Sequence, residues 1–515
     1  MNKKTALYLI LILMLGVFLR IYQIGSESFW LDESATAIAV KYYSPSEILK
    51  NGLVYGNVTP GYWEGFTNNL PLYFVLLAFW VKLFGIGEFA LRAFSALFGL
   101  LSILIVYLIA RELISEKAAL ISSFLFSLSI NNIAYSQEAR HYAFLSFVAL
   151  CSVYFFIKSF QTGKARYLLM LAISNIAGLY THFIFIFFVS FEFAYVIIMF
   201  KKKYIRRILA SLLLVGVSYL PIIPRLFNQT NGAAAFLNKP TITAVIKFWL
   251  MFNAWIFPTT ELRSKIYSQD FFQIGAIDWL LISSALLLVL VTTGFFVIGA
   301  FNFVGKINKN DLFFKKFKLP LKFHYFTERK WMLLLLFWFF IPLSLELLLS
   351  ILHPTATIFG PVRYLIFILP AYLILVSIGV SNLKKPYSNA AIIIFVLLSI
   401  LPLASYYNNI DKQQWREAAI FMKESLKSDE IVMINLPYNI APFDYYYGKS
   451  NNVFGVFNAV QASKLSENKN KVWLILSFEK YMDPKGSIRK YLEKEYRLDL
   501  EKEFFDIKIL HFVKK

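Results

Sequence analysis

Long apolar runs, separated by short basic stretches, dominate this chain of 515 residues. A helix needs roughly 20 apolar residues to cross the hydrocarbon of a bilayer. Candidate runs fall at 5–23, 91–110, 118–136, 141–158, 167–181, 183–200, 207–227, 276–303, 331–352, 363–382 and 388–405. In lipid each backbone N–H and C=O must be satisfied within its own segment, so runs of this length predict helices. Pro71 to Phe84 differs: it is only 14 residues long and carries Lys82. Such a length suits a helix lying in the interface better than one that spans.

The basic stretches set the expected topology. They are Lys3-Lys4, Arg111 with Lys117, Lys158 to Arg166, Lys201 to Arg207, Lys306 to Lys330, and Lys384-Lys385. All of them face the cytoplasm if eleven runs span and 71–84 does not, as the positive-inside rule requires. The N-terminus is then inside and the C-terminus outside. The first run, Ala6 to Tyr22, has the outline of a signal peptide. It lacks a small-residue cleavage site and Arg20 follows directly, so it is expected to be a retained helix.

From Asp411 the pattern changes to polar and mixed. Trp415 to Ser425 has helical spacing, and 431–436, 452–457 and 472–478 read as strands. Ser487 to Tyr496 reads as a helix and Phe504 to Val513 as a last strand. The expected architecture is an α-helical polytopic membrane domain over 1–405, with about eleven transmembrane helices. A small extracytoplasmic α/β domain follows over 406–515. The outer loop 24–90, with its interfacial helix 71–84, belongs in this reading to the membrane domain.

Composition agrees: 58% of residues are hydrophobic and 18% aromatic. The net charge of +21 would suggest nucleic acid in a soluble chain. Its placement in short loops between spans excludes that partner and points to membrane lipid instead. The single cysteine, Cys151, excludes an intramolecular disulfide and a cysteine-based metal site.

Ionisable residues at span ends collect on the outer side. The first outer loop holds Asp32, Glu33, Trp63, Asn69 and Pro71 and ends near Arg92. The second holds Gln137 to Tyr142, the third Tyr180-Thr181-His182, and the fifth runs from His353 to Tyr364. Ionisable residues at the boundary of an apolar protein are functional candidates by default. A carboxylate there can act as general base while a lipid-linked substrate stays anchored beside it. The plain alternative for Asp32-Glu33 is an exposed acidic turn. Arg20, Arg92, Arg140 and Arg363 can stabilise charge on a leaving phosphate. Their alternatives are snorkelling at the interface or pairing with Glu88 and Glu138. Trp30, Tyr62 and Trp63 suit either sugar stacking or an interfacial aromatic belt. His182 and His353 are two isolated histidines, not a metal motif. No cofactor is required by this pattern, with a divalent metal as the alternative.

These residues resemble a family. The run Phe29-Trp30-Leu31-Asp32-Glu33 after Arg20 is similar to part of the polyprenyl-phosphate-sugar-dependent glycosyltransferases of the GT-C fold. So are Asn69-Leu70-Pro71-Leu72-Tyr73 and Phe84-Gly85-Ile86-Gly87-Glu88-Phe89-Ala90-Leu91-Arg92. Tyr135 to Tyr142, Tyr180-Thr181-His182 and Arg363-Tyr364-Leu365 complete the set. The resemblance is strongest to the group related to protein O-mannosyltransferases and lipid A aminoarabinose transferases, glycosyltransferase families 39 and 83. It covers about residues 5–200 and, more loosely, 330–405.

The resemblance implies a sugar donor on a polyprenyl or dolichyl phosphate and inversion at the anomeric carbon. The acceptor it implies lies outside the cytoplasm: protein, lipid-linked glycan or cell-envelope polymer. Asp32 matches the family's catalytic acidic residue, with Glu33 as second candidate. Arg92 matches a basic residue near the donor phosphate, joined here by Arg363, Arg140 and Arg20. Glu138, Tyr142, His182, Trp63 and Tyr364 are the candidates for substrate contacts. Two departures stand out. The loop 228–275 is too short for the luminal insert of eukaryotic O-mannosyltransferases. Asn69-Leu70 also stand where the aminoarabinose transferases carry charge before the proline. The rival class is a lipid-linked sugar flippase or transporter, which often shows two matching halves with broken helices. No such repeat is visible.

Overall fold

The computed structural model describes residues 2–51, 70–199, 202–223, 240–254, 275–301, 329–352, 359–410, 412–477 and 485–515. Tyr62, Trp63, Asn69 and His353 lie outside the described residues. The chain forms two compact units. One comprises Met1–Tyr22 and Ala93–Asn409, the other Gln23–Arg92 and Ile410–Lys515. The segment 23–92 thus goes with the C-terminal domain, whereas the sequence pattern grouped it with the membrane helices.

The first unit is helical. It contains α1 (Lys3–Ile21), most of α5 (Glu88–Leu113), α6 (Glu116–Leu128), α7 (Ile130–Ser136) and α8 (Tyr142–Thr162). It continues through α9 (Ala165–Leu179), α10 (Phe185–Met199), α11 (Lys202–Tyr219) and the helices Ile242–Ala254, Ala276–Phe301 and Arg329–Leu352. A 3₁₀ segment, Val362–Ile368, leads into Leu369–Ser381, and Lys385–Asn408 ends the unit. Among the described residues seven helices are long and apolar enough to cross a membrane, or eight with α6 and α7 counted as one broken span bent by 58°. Shorter apolar helices, among them Ala165–Leu179 and Phe185–Met199, cover further predicted runs. This is a multi-pass membrane protein. Leu7, Leu11, Met14 and Phe18 of α1 are exposed, as lipid-facing side chains are.

Polar groups tie the spans together. Asn175 of α9 donates to Glu192 of α10 at 2.7 Å, and Ser152 of α8 donates to the same carboxylate at 2.6 Å. Interhelical hydrogen bonds of this kind are glue where lipid gives no hydrophobic drive. Gly99 of α5 lets α7 approach: a Cβ there would stand 2.0 Å from Ser136 Oγ.

The second unit contains α2 (Leu31–Tyr42), α3 (Pro45–Asn51) and α4 (Leu72–Phe84), together with a five-stranded sheet. The strands are β1 (Ile431–Asn435), β2 (Val453–Val456), β3 (Lys471–Ser477), β4 (Tyr496–Phe504) and β5 (Ile507–Lys514), in the order β2-β1-β3-β5-β4. β1 pairs in parallel with β2 and β3, and β5 runs antiparallel to β3 and β4. Parallel neighbours need crossovers, which the helices Ile440–Tyr447 and Ala459–Ser466 supply. One face of the sheet packs Trp415, Met422 and Phe443 against Val432, Trp473 and Ile509. The other packs Ala462, Ile488 and Leu492 against Met433, Leu474 and Phe512. β4 was not legible as a strand. Its sequence, YRLDLEKEF, is charged because it forms a solvent-facing sheet edge, where charge deters further pairing.

Helix α4 buries Tyr73, Phe74, Leu77 and Ala78 and leaves Phe79, Leu83 and Phe84 exposed. With 13 residues it is roughly 20 Å long. Both its buried and its exposed faces are thus apolar.

Candidate active site

In the second unit the candidate residues gather where α2 begins. Asp32 and Glu33 occupy its first turn, a position that the unpaired N–H groups and dipole of a helix start favour for acidic side chains. Neighbouring residues on a helix point about 100° apart, and these two have different surroundings. Asp32 is half-buried and Glu33 fully buried.

Glu33 meets Arg92, which is 1% exposed. Arg92 Nε donates to Glu33 Oε1 and Nη2 to Oε2, each at 2.8 Å. Nη1 donates to the Ile24 carbonyl at 2.9 Å and the Glu27 carbonyl at 2.8 Å, and Nη2 to the Ser28 carbonyl at 3.1 Å. A guanidinium has five N–H groups, and here all five are used on the loop that precedes α2 and on Glu33. The guanidinium also lies over the Phe29 ring, 5.0 Å from its centre. Glu88, the partner considered for an arginine, accepts instead from Arg416 at 3.1 Å and from the Tyr446 hydroxyl at 3.0 Å. That hydroxyl in turn accepts the Phe29 N–H at 2.7 Å. Lys412 and Arg416 were not singled out as site residues, because no local pattern marks a partner hundreds of positions away.

In the first unit a second cluster forms from segments distant in the sequence. The turn between α7 and α8 carries Glu138, Arg140 and His141, and α8 starts at Tyr142. The break between α9 and α10 carries His182, and the 3₁₀ segment carries Arg363 and Tyr364. The His182 ring lies 5.0 Å from that of His141 and 5.6 Å from that of Tyr364. The Arg363 guanidinium lies 5.8 Å from the Tyr142 ring centre and 5.4 Å from that of Tyr364. Tyr135 meets Tyr142 edge-on at 5.4 Å. Burial first, then the charges of Arg140 and Arg363, pushes the His182 imidazole down to about 3. Its Nδ1 accepts the Ile184 N–H at 3.2 Å. Glu138, Arg140, Tyr142, His182, Arg363 and Tyr364 are thus brought together, and Tyr135 and His141 join them.

Gln137 fixes this turn. Its side-chain amide donates to the carbonyls of Leu19, Arg20 and Tyr22 at the end of α1, at 3.3, 3.2 and 2.8 Å, and its oxygen accepts from Tyr406 at 3.0 Å. Arg20 is elsewhere. It is buried among backbone, donating to the carbonyls of Gly16 and Ser127 and to the Asn132 side chain. The carbonyl of Ser127 stands just before the α6–α7 break, where intrahelical partners run out. No group of three or more metal-ligating side chains exists among the described residues.

Comparisons with known proteins show the fold. The archaeal oligosaccharyltransferase AglB from Archaeoglobus fulgidus, in complex with an inhibitory peptide and a dolichol-phosphate, aligns at a TM-score of 0.53. Its sequence identity is 14%, covering 100% of this chain and 74% of that one. ArnT from Cupriavidus metallidurans in the apo state aligns at 0.61 and 11% identity, covering 99% and 98%. The same ArnT bound to undecaprenyl phosphate aligns at 0.54. The fold is the GT-C fold. Residues 68–228 match the model of the dolichyl-phosphate-mannose-protein mannosyltransferase family. An uncharacterized protein of Aquifex aeolicus is 32% identical over 175 residues, which span 34% of this chain and 33% of that protein.

Proposed function

We propose that this protein is an inverting glycosyltransferase that moves a sugar from a polyprenyl or dolichyl phosphate to an extracytoplasmic acceptor. The observation that carries the reading is Asp32, half-buried on the first turn of α2 next to Glu33, which is buried in an ion pair with Arg92. In the reaction the acceptor hydroxyl attacks the anomeric carbon from the face opposite the phosphate. The bond from that carbon to the phosphate oxygen breaks, and polyprenyl phosphate leaves. Asp32 takes the hydroxyl proton, a contribution of roughly 10²–10⁴-fold for a positioned base.

Within the first unit, Arg363 and Arg140, near the rings of Tyr142 and Tyr364 and the imidazole of His182, suit the leaving phosphate. Arg92 and Arg20, committed to carboxylate, side-chain amide and carbonyl oxygens, suit the holding of structure. Glu138, Tyr142, His182 and Tyr364 suit substrate contacts. Transfer of labelled sugar from a polyprenyl-phosphate donor by the purified protein, to an envelope fraction, is the test. Arg363→Ala is expected to lower efficiency in that assay by about 2–4 kcal/mol of transition-state stabilisation. Movement of the intact lipid-linked sugar across proteoliposomes without transfer would establish the flippase reading instead.

The same reading places the protein in the plasma membrane with the N-terminus inside and the α/β domain outside. Single cysteines at Asn51 and Gly87 in a cysteine-free background are then expected to react with an impermeant reagent from the same, outer side. Labelling from opposite sides would make α4 a span.

A further inference from the structure

The chain that enters the α/β domain adds a second cation to the acidic pair of the first outer loop. Lys412 Nζ lies 3.0 Å from Glu33 Oε2, the oxygen that also accepts from Arg92. Glu33 is fully buried, while the Lys412 side chain keeps 19% of its surface. The backbone around it is pinned as well. The Lys412 N–H donates to Glu27 Oε1 at 3.2 Å, and the Ser28 hydroxyl donates to the Gln413 carbonyl at 2.6 Å. Gln413 then reaches the end of β3 through Ser477.

The charge count shows that Lys412 is not needed to neutralise Glu33. Arg92 already supplies one positive charge and two hydrogen bonds to that carboxylate. Desolvating part of an ammonium for a carboxylate already paired has a cost. What the contact adds is a tether between the first turn of α2 and the segment leading to the sheet.

We propose that Lys412 is a positioning residue for sugar transfer, supplied by the C-terminal domain, which fixes the Asp32 turn through Glu33. This rests on the reading of Asp32 as the base. The C-terminal domain is then part of the device that orients the base, in addition to any role with the acceptor. Loss of about 1 Å of precision at a reacting group can cost on the order of 10²-fold in rate, whereas the fold keeps its Arg92–Glu33 pair.

The test uses the full chain in the labelled transfer assay with Lys412→Met, Lys412→Arg and, as a control, the exposed Lys464→Met. Lys412→Met is expected to lower kcat by roughly 10- to 100-fold. Donor KM should stay within about two-fold, and the thermal midpoint should barely move, because Arg92 still neutralises Glu33. Lys412→Arg should recover most of the turnover, and Lys464→Met should match the unaltered protein. Where Lys412→Met does not accumulate, Lys412→Gln must show the same kcat loss. Unchanged kcat, or a loss that tracks the midpoint and is not rescued by arginine, overturns the proposal. A parallel Asp32→Asn measurement separates the two ideas. Turnover surviving there removes the base itself; turnover lost there but intact in Lys412→Met removes only the positioning role.

Discussion

Asp32→Asn is expected to leave the protein folded and nearly inactive. The substitution keeps the shape of the side chain and removes only the proton acceptor. Asp32 is half-buried at a helix start, so asparagine, itself a good residue near a helix N-terminus, fits without strain. The expected fall in kcat is roughly 10²–10⁴-fold, the usual range for losing a positioned base, with the midpoint of thermal unfolding unchanged. Donor binding, measured with the non-reacting polyprenyl phosphate, should persist. Wild-type turnover in purified Asp32→Asn protein would falsify the assignment and return the first turn of α2 to a purely structural role.

The largest effect on stability is expected from Arg92→Ala. It removes five hydrogen bonds of one buried side chain: two on Glu33 and one each on the carbonyls of Ile24, Glu27 and Ser28. Glu33 keeps only Lys412, and three carbonyls lose their donor. Removing one partner of a buried ion pair costs about 3–5 kcal/mol, so the variant should show a markedly lower unfolding midpoint and poor accumulation. Arg92→Lys should rescue little, because a point charge cannot reproduce a planar fork that serves two carboxylate oxygens and three carbonyls. The measurement also decides between two roles. A well-folded Arg92→Ala protein at the wild-type midpoint, deficient only in use of the donor, would make Arg92 a phosphate ligand, as the family resemblance implies. A destabilised one makes it the keystone of the loop before α2.

Asp32-Glu33 shows how far a single sequence goes. Both carboxylates stood out by position, at the end of an apolar run, and both qualified as bases on that ground. Their different surroundings follow from helical geometry and from partners 59 and 379 positions away. The arginines behave alike. Arg20, Arg92, Arg140 and Arg363 all sit at span ends in the sequence. In the structure Arg20 bonds carbonyls and a side-chain amide, Arg92 bonds carbonyls and a carboxylate, and Arg363 lies against the rings of Tyr142 and Tyr364. Lys412 was silent in the sequence, one lysine in a polar stretch with no motif around it.

The sequence by itself determined the elements. Run length and hydropathy marked the spans, because lipid demands about 20 apolar residues with self-satisfied backbone. Period-two and period-three-to-four patterns marked most of the α/β domain, because burial of one face leaves that trace in the chain. Those are local constraints, and local constraints are written in consecutive residues. Only the tertiary structure decided that 23–92 belongs with 410–515 rather than with the helices that flank it. It alone decided that Arg92 pairs with Glu33 and that Arg20 bonds backbone carbonyls and Asn132. A charged side chain at a span end obeys the same composition rule whether it faces a ligand or a buried partner; the difference is made by long-range packing, which leaves no periodic mark.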